Sequence, residues 1–202
     1  MKDIVVVFRD RYVHKGKEYF SYSELRKILS KFLKREIFIM DEDIFIKIYS
    51  FNEKNIDIFI EEKIQKDFID NKELLYHYEE DKKNKKVYLY ALRGSKIESL
   101  ISSKVKITPI IFLIKDIIIK NSKCNNFIGI VNINEKFYII FVEEKKLIKY
   151  EVINDSKKIE EFLGNNADKR IFIDINNQNF EIEQSENKIN ILERINEKIY
   201  KK

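Results

Sequence analysis

Two stretches of this sequence have the layout of a hairpin that could hold a nucleotide's phosphates: "VVVFRDRYVHKGK" near the start and "GIVNINEKFYII" over residues 129 to 140. Such a grip needs a glycine, so that backbone N–H groups can approach the anion, and an acid with a Ser or Thr whose oxygens reach the metal. In the first stretch Phe8 and Arg9 follow the apolar run, with no glycine before Gly16. In the second, Asn132 and Asn134 precede Lys136 with no hydroxyl among them. Both therefore read as architectural hairpins.

Other chemistries find equally thin support. A metal-dependent nuclease would need carboxylates clustered at strand ends to hold two divalent ions. The candidates are Asp3, Asp41, Asp43 and Asp174, but Asp41 to Asp43 read as a solvated turn, and no acid in the first hairpin is placed to join Asp174. His14 sits beside a turn, and His77 lies in the strand-like "LLYHYEE", where Glu79 or Glu80 could pair with it. Cys124 has Lys120 and Lys123 nearby to lower its pKa, yet no histidine close in sequence to act as a base, so it reads as a spectator thiol. "GSK", Gly94 to Lys96, places a glycine and a hydroxyl at a helix start; it matches too little of a Walker motif to count beyond a helix cap. The basic run "DKKNKK" beside "YHYEE" and "VYLY" could form a stacking platform for single-stranded nucleic acid. The tyrosines there alternate as a strand's packing face does, and acids interrupt the lysines.

Composition bounds the same question. The chain has 202 residues, 44% hydrophobic and 36% charged, enough apolar material for a sizeable core and too much for disorder. Lys+Arg 39 against Asp+Glu 34 leaves +5 with the two signs interspersed, where nucleic-acid binders carry a clustered stripe. Isoleucine, lysine and asparagine are abundant and alanine occurs only at Ala91 and Ala167, a bias that an AT-rich coding sequence imposes. One cysteine excludes an internal disulfide and a multi-cysteine metal site, and a reducing compartment fits best. "MKDIVVVFRD" is too short an apolar run for a signal peptide, and "PIIFLIKDIII", broken by Lys115 and Asp116, falls short of a membrane span. These features predict a cytoplasmic protein without direct membrane insertion.

Few breakers punctuate the chain, four glycines and one proline, so lobes sharing an interface are expected rather than tethered domains. Short strands over "DIVVVFRD" and "RYVHKGKEYF", turning near Lys15 to Lys17, lead to a helix in "SYSELRKILSKFLKR". Ser21 and Glu24 there have capping-box spacing, and Leu25, Ile28, Leu29, Phe32 and Leu33 share one face. "EIFIM" and "DIFIKIYSF" read as strands flanking the Asp41 to Asp43 turn. Asn55 starts a second helix, with Ile56, Phe59, Ile60, Ile64 and Phe68 on one face. "LLYHYEE" and "KVYLYAL" form a hairpin with "DKKNKK" at its tip. Ser95 and Glu98 suggest a capped short helix before the strand "KVKIT", and Pro109 suits the first turn of a helix that is apolar nearly all round. From Asn126 three strands follow with turns at Asn134-Glu135 and near Lys145-Lys146, then the helix "SKKIEEFLG", the strand "RIFID" and a final helix carrying Ile189, Leu192, Ile195 and Ile199.

In this order βββαβ occurs twice, a repeat of topology without a visible repeat of residues. A doubled βββαβα unit is the plan of the actin-like, ribonuclease H-like fold. The runs "VYLYALRGSKIESLI", "KVKITPIIFLIKDIIIKN" and "FIGIVNINEKFYIIFVEEKKLIKYEVI" resemble the pilus-assembly protein PilM and the cytoplasmic part of GspL from type II secretion. The resemblance covers most of the chain as an order of elements. It implies a mixed α/β fold of two lobes: residues 1–42 with 93–121 as the first, 43–92 as an inserted small α+β subdomain, and 122–202 as a shortened second.

The resemblance also implies a cytoplasmic assembly component, peripheral to the inner membrane, that recruits the N-terminal tail of a membrane partner and contacts the secretion motor ATPase. Family members differ in ATP binding. With the phosphate chemistry missing from both hairpins and little chain left after "RIFIDINN" to clamp an adenosine, the expectation is a scaffold with no catalytic, cofactor or metal residues. The alternatives are an active ATP-binding actin-like protein and a nucleic-acid-binding module.

Overall fold

A computed structural model describes residues 2–29, 34–41, 43–52, 55–68, 73–94, 96–101, 105–166, 169–174 and 188–200. The chain divides into two compact units, Met1–Ile107 and Thr108–Lys202. Among the described residues no helix is long and apolar enough to cross a membrane.

The first unit opens with three antiparallel strands, β1 (Lys2–Val7), β2 (Tyr12–His14) and β3 (Lys17–Tyr19). Lys15 (φ 50°) and Gly16 (φ 76°) make the predicted second turn, both left-handed, a conformation that glycine tolerates without a Cβ clash. Helix α1 (Tyr22–Ile28) starts where the capping-box spacing places it, Ser21 Oγ accepting from the Glu24 N–H at 3.3 Å. It is shorter than its apolar periodicity predicts. Leu29 is already extended, Ile28 is exposed and Lys34 begins β4 (Lys34–Ile39); the predicted face residues Phe32 and Leu33 lie outside the described residues. β4 lies parallel to β1, with Val5 opposite Ile37 and Val7 opposite Ile39.

β4 and the next strand, β5 (Ile44–Ser50), flank the Asp41 to Asp43 turn as expected but belong to different sheets. β5 pairs with β7 (Lys86–Arg93), which in turn pairs with β6 (Leu74–Asp81), and α2 (Ile56–Asp67) packs on one face of this three-stranded sheet. Asn55 caps α2 by accepting from the N–H groups of Asp57 and Ile58 at 3.0 and 3.3 Å. Phe59, Ile60 and Phe68 meet Val87, Leu89 and Ala91 in its core, with Ile56 and Ile64 against them, so the five-residue helical face read from sequence is the buried one. Burial of each such large side chain contributes about 1.5–3 kcal/mol. The predicted helix after Gly94 is only a three-residue 3-10 turn, Glu98–Leu100, and Ser95, its proposed cap, lies outside the described residues. β8 (Val105–Pro109) then completes the first sheet, in the order β3-β2-β1-β4-β8.

The second unit repeats this plan. After α3 (Ile110–Ser122), strands β9 (Phe127–Ile133), β10 (Lys136–Glu143) and β11 (Lys146–Ile153) form a meander. Its turns are Asn134-Glu135 and Glu144-Lys145, all four residues left-handed. Helix α4 (Ser156–Asn165) follows, then β12 (Ile171–Asp174) parallel to β9, a two-residue β13 (Lys188–Ile189) that the sequence did not suggest, and α5 (Ile191–Tyr200). The order β11-β10-β9-β12-β13 matches the first sheet strand for strand. Ile128, Ile130, Phe137, Ile139, Ile171 and Ile173 form one core face with Ile159 of α4. α3 is buried nearly all round as its composition predicts, down to Lys115, whose ammonium lies 5.0 Å from the Phe112 ring. α3 packs against β9, β10, β11 and α5.

Candidate functional site

In the first hairpin Phe8 is buried and its N–H, one of the few that could meet an anion, donates to the Arg11 carbonyl at 2.8 Å. The Arg11 guanidinium lies 4.4 Å from the Phe8 ring and pairs with Asp10 at 3.1 Å and Glu18 at 2.9 Å. Arg9 turns toward the next loop, its guanidinium donating to the Asp41 carbonyl at 3.3 Å and lying 3.7 Å from the Asp43 carboxylate. Phe8, Arg9, Asp10 and Arg11 are not among the residues with left-handed φ. The turn thus spends its Phe8 N–H on the Arg11 carbonyl and holds Arg11 in ion pairs.

The second hairpin turns on Asn134 (φ 51°) and Glu135 (φ 64°), two left-handed residues in succession. That is the conformation of a tight hairpin that follows the strands' own twist. An anion-holding nest instead alternates right- and left-handed residues so that consecutive N–H groups converge. Asn132 is a ladder residue opposite Phe137, and Glu135, the one acid of the turn, is exposed.

Of the four candidate metal acids, Asp3 is 2% exposed and its Oδ1 lies 3.1 Å from His14 Nε2. An ionised Asp3 can only accept, so Nε2 carries the proton. The pair spans β1 and β2 on one sheet face, and the register partner of Asp3 on β4 is the buried Arg35, whose guanidinium donates to the Leu100 carbonyl at 2.9 Å. His14 is therefore a buried polar anchor, which its place beside a turn did not suggest. Asp174 is 1% exposed, and its Oδ1 accepts from the N–H groups of Ile191 and Leu192 at 2.6 and 2.9 Å. It caps α5 from the end of β12. Asp43 is exposed and tied to Arg9. Among the described residues no three His, Cys, Asp or Glu side chains converge on a metal position.

The remaining candidates also find structural roles. His77 stacks on Tyr90 at 6.0 Å and is exposed. The Cys124 thiol donates to the Asn126 carbonyl at 3.2 Å. Gly94 is needed for close packing, since a Cβ there would stand 3.0 Å from Leu75 Cγ and 3.3 Å from the Glu73 oxygen, and its N–H donates to that same oxygen. At the β6–β7 hairpin Tyr88 and Tyr90 are buried, while Tyr78 is exposed with its hydroxyl donating to Asp57 at 3.1 Å; Asn84 binds back to Asp81 and Lys82 lies 3.8 Å from Glu80. A cavity of about 300 Å³ in the second unit is bordered by Asn126, Ile128, Phe141, Glu143, Ile148 and Lys169, without a nucleophile and base in reach of one another.

Helix N-termini are the other ready anion sites in such a fold. Ser21, Asn55, Asp155 and Asp174 fill four of them with the chain's own oxygens.

No protein-family model matches the sequence, and no curated protein matches it. Solved structures do. A protein of Bacteroides thetaiotaomicron VPI-5482 with an actin-like ATPase fold and unknown function is similar over 98% of this chain and 88% of its own, at 12% identity and a TM-score of 0.50. The cytoplasmic domain of EpsL, an inner-membrane component of the type II secretion system of Vibrio cholerae, is similar over 86% of this chain and 80% of its own, at 6% identity and a TM-score of 0.52. A PilM-PilN type IV pilus biogenesis complex gives 8% identity over 80% of this chain and 64% of its own, with a TM-score of 0.45. The chain has the actin-like fold, a mixed α/β architecture with two sheets of the same strand order.

Proposed function

We propose that this protein is a non-catalytic scaffold of a secretion or pilus assembly apparatus, working at the cytoplasmic side of the inner membrane by binding the cytoplasmic tail of a membrane partner. The observation that supports the non-catalytic part is the first hairpin, where the Phe8 N–H is bonded to the Arg11 carbonyl and Arg11 is held in ion pairs with Asp10 and Glu18. The capped N-termini of α1, α2, α4 and α5, though not that of α3, and the type of turn at Asn134-Glu135 point the same way. The apparatus is proposed on the fold shared with the EpsL cytoplasmic domain. A further contact with a motor ATPase belongs to the same reading.

Co-expression with the cytoplasmic tail of the inner-membrane protein encoded alongside this chain tests the proposal. Co-purification that survives physiological salt is the expected result. Failure of every such tail to associate, together with turnover of ATP by the purified chain, would overturn it.

A further inference from the structure

An unpaired strand edge invites another chain, and proteins blunt their edges with short strands, bulges, prolines or charges. Most edges of this fold are blunted so. β3 has three residues and β13 two; β8 ends in Pro109. β11 is bulged, since Phe141 and Val142 of β10 face Lys149 and Leu147 and leave Ile148 unpaired. β6 turns acidic over Glu79, Glu80 and Asp81. β5 is the exception, with Lys47 as its one blunting feature. Its seven residues, IFIKIYS, run in unbroken register with β7, carry one charge, and expose Phe45 (46%) and Ile48 (44%).

The ladder fixes which peptide groups face outward. The Phe51 N–H donates to the Lys85 carbonyl at 2.8 Å, one step beyond the Ser50 and Lys86 partners. Hydrogen-bonded pairs alternate in an antiparallel ladder, so Tyr49, Lys47 and Phe45 bond to β7 while Ile48 and Ile46 aim their N–H and C=O away from it. The two faces of the edge differ in chemistry. Ile46 and Ile48 make one aliphatic. On the face covered by α2, the Lys63 ammonium lies between two rings, 4.9 Å from Phe59 and 5.6 Å from Tyr49, and has no carboxylate in ion-pair reach among the described residues. Lys47 stands beside it, 3.5 Å from Asp67.

We propose that β5 accepts an extended segment of a partner protein as an added strand, and that this segment alternates aliphatic residues with carboxylates. Main-chain hydrogen bonds at Ile46 and Ile48 hold it, its aliphatic side chains continue the Ile46 and Ile48 face, and its carboxylates meet Lys63 and Lys47. The inference rests on the protein-binding reading above and adds the place and the chemistry of the bound segment.

A fluorescent peptide alternating Val and Glu, titrated into the full chain, is the test, with a peptide alternating Val and Lys as control. The Val/Glu peptide is expected to bind, and to slow amide exchange at Ile46 and Ile48. Ile48→Pro removes an outward N–H while leaving the β7 bonds of Lys47 and Tyr49, and should weaken binding about tenfold, the scale of one lost hydrogen bond. Lys63→Glu, at a half-buried position, should turn the preference toward the Val/Lys peptide, with an unchanged urea midpoint showing that the fold is kept. No binding of the Val/Glu peptide, or binding indifferent to both substitutions, overturns the edge assignment. A partner tail that still co-purifies in that case leaves the scaffold reading standing; peptide binding at β5 with no tail captured removes the scaffold reading instead.

Discussion

Asp174 at the end of β12 accepts a 2.6 Å hydrogen bond from the N–H of Ile191, the first residue of α5. A side chain seventeen positions earlier thereby fills a helix N-terminus that would otherwise favour an anion. Asp174→Ala should cost about 1–2 kcal/mol, the range for losing an N-cap. Amide exchange at Ile191 and Leu192 should accelerate more than elsewhere in the second unit. Asp174→Asn, which keeps an accepting oxygen, should cost less; equal losses for the two variants would contradict the capping role.

The buried Asp3 and His14 pair makes a parallel case in the first unit. Asp3→Ala strands the His14 Nε2 proton in the sheet interior, and a buried donor left without an acceptor costs about 1–3 kcal/mol. A urea unfolding midpoint unchanged by Asp3→Ala would show that the pair holds nothing together.

Tyr49 and Asp67 give the inserted sheet a pH dependence of defined sign. Burial, and then the 2.6 Å hydrogen bond to Asp67, push the Tyr49 hydroxyl above its ordinary value. The same bond holds Asp67 below the usual carboxylate range. The tyrosine contribution is fully present below the unfolded value of about 10 and is lost as pH rises through the higher folded value. The aspartate contribution is present above about 4 and is lost as pH falls through the lower folded value. Tyr49→Phe removes the tyrosine contribution and the hydrogen-bond part of the aspartate one, leaving the part that Lys47 and Lys66 supply. It should therefore lower stability at neutral pH, flatten the alkaline limb of the urea midpoint against pH and weaken the acid one. Superimposable profiles for the two proteins would refute the coupling.

Gly129 is fixed by packing in β9. A Cβ there would lie 2.5 Å from Ile118 Cδ1 and 3.0 Å from Ile140 Cγ1, both on fully buried side chains. Gly129→Ala should destabilise by about 1–3 kcal/mol as an overpacked core does, and shortening the neighbour with Ile118→Val should recover part of the loss. A neutral Gly129→Ala in thermal unfolding would contradict this.

The doubled topology was legible because strands and helices write different periods. The short unbroken apolar run in "KFYIIFVEE" and the one-sided face of α2 each decide an element locally, and Asn55 announces its own helix start. Long-range pairing was not legible. β4 and β5 are adjacent and equally apolar, and only the register of β5 with β7 shows that they serve separate sheets. β13 is two residues long and has no period to read. His14 and Asp3 meet across a ladder, and Asp174 meets α5 across a long connection, so neither contact leaves a mark in local spacing. What the sequence could show of the candidate site was the wrong chemistry at Phe8 and Arg9. The ion pairs that Arg11 makes across the turn needed coordinates.

Thermal unfolding of the full chain with and without millimolar Mg-ATP tests the central claim most directly, because a ligand that binds only the folded state raises its midpoint by mass action. The expected result is an unchanged midpoint. A clear rise, absent with magnesium alone, would mean that the folded chain binds a nucleotide, and it would contradict the scaffold reading.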